Sequence, residues 1–176
     1  MMANTSLRNI PRIGYGWDSH EFQSGIPLKI GGVTLPHHSG LSGHSDGDVL
    51  LHAITDALLG AIAAGDIGTY FPPSDPQWKG ADSAVFLREA VRRIGEAGYM
   101  VGNLDSTLIL AEPKIVPHAP AIRQNVAQLL KIEPEQISVK AKTPEGIGTD
   151  NAAIAHAIVL LEKIPAKAKA KKKKKR

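Results

Sequence analysis

The most constraining part of the chain is residues 44–60, a polar Gly-containing turn running directly into an Ala/Leu-rich segment. At about 100° per residue, Leu50, Ile54, Ala57, Leu58 and Ala61 share one face, while Asp48, His52 and Asp56 repeat at i, i+4 and i+8 on the other. Ser45 and Asp48 have capping-box spacing, with Asp for the usual Glu, so the pattern predicts a helix over roughly 46–63. The wide apolar face requires a second layer to cover it. The Asp-His-Asp stripe fits either a metal-binding imidazole supported by two carboxylates or ordinary satisfied polar groups on a helix.

The same rules organise the rest. Arg12 to Asp18 alternates as a strand, and Leu28 to Leu35 holds a second short strand around Gly31-Gly32. Pro36 to Gly47 reads as a loop. Residues 66–76 form a long turn-rich connection of the kind that often carries function. Asp82 caps a second helix that buries Phe86, Leu87, Ala90, Val91, Ile94 and Ala97 and ends at Gly98. Asn103 to Ala111 is a strand, Pro117 to Leu130 a third helix, and Ile137 to Lys142 and Ala152 to Leu161 the last strands. Mixed strands and helices in this order give one α/β (α+β) domain, a single sheet with helices on one face. The expected divisions are an irregular lead-in at 1–10, a domain at 11–164 and a Lys-rich, disordered tail at 165–176.

Composition matters mainly for what it excludes. With 176 residues and no Cys, disulfides and thiolate metal sites are ruled out, so a zinc ion would have N and O ligands. The net charge of +4 misleads, because residues 167–176 contain seven Lys, Arg176 and no acidic residue. Without them, 13 basic residues face 17 acidic ones, a net of −4. The tail can touch nucleic acid nonspecifically, but the body offers no basic patch for specific recognition. No 18-residue apolar run and no signal-like N-terminus are present, so a cytoplasmic enzyme is expected, with no membrane span.

Asp18-Ser19-His20 places a carboxylate and an imidazole on one side of a strand end. With His52 they make two imidazoles and a carboxylate, the usual donor set of a catalytic zinc with one open position. Asp48 and Asp56 would then orient the His52 ring. His44-Ser45 falls where a helix N-terminus can bind an anion, or is simply a polar cap. Thr143, Glu145 and Lys114 lie at strand ends where they can serve phosphate and a hard cation, or nothing.

Taken together, these pieces closely resemble the 2-C-methyl-D-erythritol 2,4-cyclodiphosphate synthase family of the non-mevalonate isoprenoid pathway. The matching motifs include Arg12-Ile-Gly-x-Gly-x-Asp-x-His20, Ile30-Gly-Gly-Val33, His44-Ser-Asp-Gly-Asp-Val49, Leu51-His-Ala53 and Thr55-Asp-Ala-Leu-Leu-Gly60. Gly65-Asp-Ile-Gly68, Lys79-Gly-Ala-Asp-Ser83, Pro113-Lys114 and Val139-Lys-Ala141 continue the match, in order, over residues 11–163. The resemblance implies a four-stranded mixed sheet with helices on one face and a homotrimer with active sites between subunits. It implies zinc on Asp18, His20 and His52, and a second divalent cation, magnesium or manganese, held with Glu145. It also implies a phosphorus–oxygen lyase that closes 4-diphosphocytidyl-2-C-methyl-D-erythritol 2-phosphate into the cyclic diphosphate and releases CMP.

The implied transition-state stabilisers are His44 and Thr143. The implied substrate contacts come first from Asp18, Ser19, His20, His44 and Ser45, and from the loop Asp66, Ile67, Gly68, Phe71, Pro72, Pro73, Ser74 and Asp75. The adjacent subunit would add Leu110, Ala111, Glu112, Pro113, Lys114, Ile115 and Val116, with Lys142, Thr143, Pro144 and Glu145. The chain departs from the family in having Lys142-Thr143-Pro144 where three Thr precede the Glu, and Thr149 to Ala155 where an aromatic, an Arg and a Glu are usual. Two other readings are weighed: a zinc-dependent phosphohydrolase using the same ligands, and a nucleic-acid-binding module driven by the tail.

Overall fold

A computed structural model describes residues 10–165. The Lys-rich tail expected at 165–176 lies almost wholly outside the described residues, as does most of the 1–10 lead-in. The elements in chain order are β1 (Arg12–Ser24), β2 (Leu28–Ile30), β3 (Val33–Leu35), β4 (Ser39–Leu41), α1 (Val49–Ala61) and α2 (Ile67–Tyr70), followed by α3 (Ala84–Glu96), β5 (Tyr99–Ile109), α4 (Ala119–Leu130), β6 (Ile137–Lys142) and β7 (Ala152–Lys163).

The main sheet has five strands in the order β4-β1-β7-β5-β6, and β2 and β3 form a separate hairpin. Five strands, not the expected four, arise because β1 runs on to Ser24 and its end pairs with β4, through Phe22↔Leu41 and Ser24↔Ser39. The segment 36–47, read as loop, therefore contributes an edge strand too short for a period-2 signal. All pairings are antiparallel except β5 with β6, whose crossover is α4.

α1 is buried on nearly every side from Val49 to Ala61, its polar His52 and Thr55 included. The sheet makes room with small residues. Gly14 and Gly16 of β1 face α1, and a Cβ on either would stand 1.8 Å from Ala57 O or 2.2 Å from Ala53 O. On β7, Ala157 stands opposite Gly16, and Ala155 and Ala153 opposite Asp18 and His20, all three fully buried. β1 thus alternates strictly, with 14, 16, 18, 20 and 22 toward the helices and 13, 15, 17 and 19 away. α3 buries Phe86, Leu87, Ala90 and Ile94 and pairs Glu89 with Arg92 and Arg93 outside. Ala97, expected in the core, is exposed because the helix has ended and the chain turns at Gly98, φ +82°.

α1 begins later than the spacing predicts. Its N-cap is Asp48, whose carboxylate accepts from Leu51 N at 3.0 Å, and Ser45 plays no capping part. The same carboxylate accepts from Gly31 N at 2.9 Å and from Gly32 N. One buried Asp therefore holds both the helix start and the β2–β3 turn.

Candidate active site

Asp18 and His20 project from the helix-facing side of β1, and His52 meets them from the second turn of α1. Asp18 Oδ2 lies 2.9 Å from His20 Nε2 and 2.8 Å from His52 Nδ1, and the two ring nitrogens are 3.1 Å apart. Neighbouring donors on a tetrahedral zinc stand about 3.3 Å apart, from bond lengths near 2 Å. Three converging atoms, two imidazole nitrogens and a carboxylate oxygen, thus fit such an ion in both spacing and chemistry. They are the metal-ligand cluster found among the described residues. Burial pushes the Asp18 carboxyl up, but hydrogen bonds and charge from His20 and His52 outweigh it and hold it well below the usual range.

These three residues form one end of a pocket of about 200 Å³. His44, Ser45, Ile67, Gly68, Phe71 and Pro73, all implied above as substrate contacts, line it together with Asp56, Trp78 and Phe86. Phe71, Trp78 and Phe86 form an aromatic wall with ring centroids 4.5–5.8 Å apart. Trp78 and Phe86 were not anticipated; Phe86 sits in an amphipathic pattern that marks it only as core. His44 is exposed, with Nε2 3.4 Å from Asp75 O. The N-terminus of α1 is not an open anion site, since the Asp48 carboxylate occupies it.

Other expected contacts lie elsewhere. Ser19 is on the opposite face of the sheet, one residue out of phase with Asp18 and His20. Asp66 and Asp75 face their own turns, Asp66 accepting from Thr69 N and Oγ1 at 2.9 and 2.8 Å and Asp75 from Gln77 N at 3.1 Å. Pro72 and Ser74 are likewise not among the lining residues.

The expected support of His52 by Asp48 and Asp56 takes another form. Asp48 is spent on backbone N–H groups of α1 and the hairpin; burial pushes its carboxyl up against their pull. Asp56 accepts from Ile67 N at 2.7 Å, so it fixes the 66–68 turn over the pocket. Burial raises its carboxyl, Ile67 N–H works against this, and the charges of Asp66 and Asp18 add to the rise. The His52 Nε2 side is met instead by Ser83 Oγ at 2.8 Å and Ser45 Oγ at 3.0 Å. No local pattern pointed to Ser83, which reads as a plain helix start.

Leu110, Ala111, Pro113, Lys114, Ile115 and Val116 line a second pocket with Lys142, Thr143 and Glu145, of about 240 Å³. It lies beyond the ends of β5 and β6, apart from the first. Thr143 Oγ1 donates to Glu145 Oε1. Pro144 is buried beneath this turn, and Glu112 faces a different pocket with His37 and His38.

Comparison with known proteins agrees with this architecture. The chain is 68% identical over 152 residues to a 2-C-methyl-D-erythritol 2,4-cyclodiphosphate synthase of Koribacter versatilis, covering 86% of this chain and 98% of that protein. A solved synthase structure described as a CDP-bound form is 43% identical, with TM-score 0.81 over 85% of this chain and 99% of its own. The bifunctional IspDF of Campylobacter jejuni gives TM-score 0.85 at 35% identity, over 89% of this chain and 43% of that one. The model of the YgbB family matches residues 11–162, and the chain belongs to that family.

Proposed function

We propose that this chain closes 4-diphosphocytidyl-2-C-methyl-D-erythritol 2-phosphate into 2-C-methyl-D-erythritol 2,4-cyclodiphosphate and releases CMP, as a metal-dependent phosphorus–oxygen lyase of non-mevalonate isoprenoid synthesis. The observation that carries it is the triangle of Asp18, His20 and His52 donors at the end of a pocket flanked by His44 and Ser45. The names of its relatives support the same reaction.

The attacking phosphate belongs to the substrate, so the protein needs no nucleophile of its own. Its work is to fold a flexible polyanion until attacking and leaving oxygens line up. Zinc on Asp18, His20 and His52, with magnesium or manganese near Glu145, would supply neutralisation of the phosphoryl oxygens. His44 and Ser45 bind phosphate oxygens from the pocket rim, and Thr143 donates to them as charge moves. The backbone around Ile67 and Gly68, fixed by Asp56, holds the methylerythritol hydroxyls. The aromatic wall keeps water from the reacting end.

The second pocket grips the cytidine of a substrate seated in a neighbour's first pocket, and the working unit is a homotrimer. Supporting this, the outer sheet face carries Ile13 at 71% exposure and Trp17 at 55%, with Tyr15 and Ile158 beside them, an apolar patch that calls for a partner. Val116, at 78%, edges the second pocket in the same way. The reaction resides in residues 11–164 and takes place in the cytoplasm. None of the described helices is long and apolar enough to cross a membrane.

The test is incubation of the purified protein with substrate, zinc and magnesium or manganese, followed by ³¹P NMR. The cyclic diphosphate with stoichiometric CMP is expected. A linear product or free phosphate without the cyclic compound would instead establish a hydrolase.

A further inference from the structure

A neutral imidazole that offers one nitrogen to a metal must carry its proton on the other, and that N–H needs an acceptor. For His52 the metal-facing atom is Nδ1, so the question falls on Nε2. Two hydroxyls reach it, Ser83 Oγ at 2.8 Å and Ser45 Oγ at 3.0 Å. They are not equivalent. Ser83 is fully buried, whereas Ser45 is half-buried and opens on the pocket.

Ser83 has a further peculiarity. It occupies the N-cap position of α3, yet its hydroxyl makes no capping bond; Asp82 accepts from Ala84 N in its place, at 2.9 Å. The hydroxyl hydrogen goes instead to Asp46 Oδ1, whose other oxygen takes Lys29 Nζ at 3.1 Å. A carboxylate only accepts, so the Ser83 hydrogen is committed to Asp46 and its lone pairs face His52. The backbone locks this order, since Asp46 N donates to Ala81 O at 3.0 Å and Gly80 N to His44 O at 2.8 Å.

We propose that Ser83, backed by Asp46 and Lys29, is a positioning residue that accepts the His52 Nε2–H and so turns the Nδ1 lone pair toward Asp18 and His20. Ser45 is thereby left free to serve the substrate. The proposal rests on the reading of Asp18, His20 and His52 as metal ligands.

The test combines zinc affinity by chelator competition with ¹H–¹⁵N spectra of histidine-labelled protein. In the wild type the His52 Nε2–H should give a slowly exchanging, hydrogen-bonded resonance. Ser83→Ala should lose that resonance and bind zinc about 10–100-fold more weakly, with thermal unfolding close to wild type. Ser83→Thr, which restores the hydroxyl, should recover most of the affinity, and Asp46→Asn should show a smaller loss. Ser83→Ala binding zinc within about twofold of wild type, or keeping the resonance, overturns the proposal. A wild-type protein that takes up no zinc refutes the metal reading instead, while the fate of the Nε2–H resonance still decides the part played by Ser83.

Discussion

The pocket at Asp18, His20 and His52 draws its donors from the middle of a thirteen-residue strand and a buried helix, whereas the pocket at Thr143 and Glu145 draws its own from a turn where β6 has ended. In the first, backbone hydrogen bonds and close packing fix each side chain, and the donor atoms already converge at 2.8–3.1 Å. In the second, both side chains are exposed and bond to each other, and Glu145 holds the left-handed conformation, φ +52°. Rigid elements deliver preorganisation within one chain. A turn leaves its side chains exposed and less firmly fixed, as sites on loops are less precise than sites on helices and strands.

The largest effect that would sharpen this contrast is at the preorganised end. His52→Ala should abolish stoichiometric zinc by elemental analysis and lower turnover about 10³-fold or more, since several kcal/mol of charge stabilisation is lost. Far-UV circular dichroism should stay unchanged. At the other end, Thr143→Val should lower kcat about 10²-fold while zinc content remains that of the wild type. Loss of zinc in Thr143→Val would break the distinction, because the two pockets would then not be independent within a chain.

Smaller effects probe the scaffold. Gly16→Ala places a Cβ 2.2 Å from Ala53 O and 2.6 Å from Ala57 N, both backbone atoms with no rotamer to escape into. It should cost about 2 kcal/mol, a fall in Tm of roughly 5 °C by calorimetry. Gly146→Ala, at a turn with open space around it but φ +75°, should cost about 1 kcal/mol and leave zinc uptake unchanged. An effect of similar size, and dependent on pH, concerns Asp46. Burial works against its charge, but hydrogen bonds from Ser83 and Lys29 outweigh that and lower its pKa. A carboxyl lowered on folding stabilises the protein above its unfolded pKa and loses that contribution as pH falls through the folded value. Asp46→Asn should therefore cost about 1 kcal/mol at pH 7, and its Tm should converge with the wild type as the pH drops below about 4.

Periodicity made the frame readable. The α1 stripe, the amphipathic α3 and the apolar runs of β5 and β7 are local patterns, and the Asp-x-His pair follows from the pleat alone. The parts that escaped depend on distant partners. Ser24 pairs with Ser39 across a hairpin, so β4 was invisible to a window on either segment. Asp48 looks like a residue beside His52 on a helical wheel, yet the carboxylate is claimed by Gly31 and Gly32 N–H groups seventeen and sixteen positions away. Ser83 falls inside the Lys79-Gly-Ala-Asp-Ser83 match but has no role legible there, because what distinguishes it is a capping bond it does not make. The Asp18-His20-His52 triangle was legible because its residue types are unusual in an apolar setting, and its supports were not because theirs are common.

The glycines of β1 have one last consequence. Gly14 and Gly16 set how near α1 comes to the sheet, and two residues further along the same strand stands Asp18, facing His52 on that helix. The gap between sheet and helix is therefore also a caliper. For any ion held between Asp18, His20 and His52, tolerance to ionic radius is a mechanical property of two missing methyl groups. Widening that gap should favour larger cations over zinc without altering a single ligand.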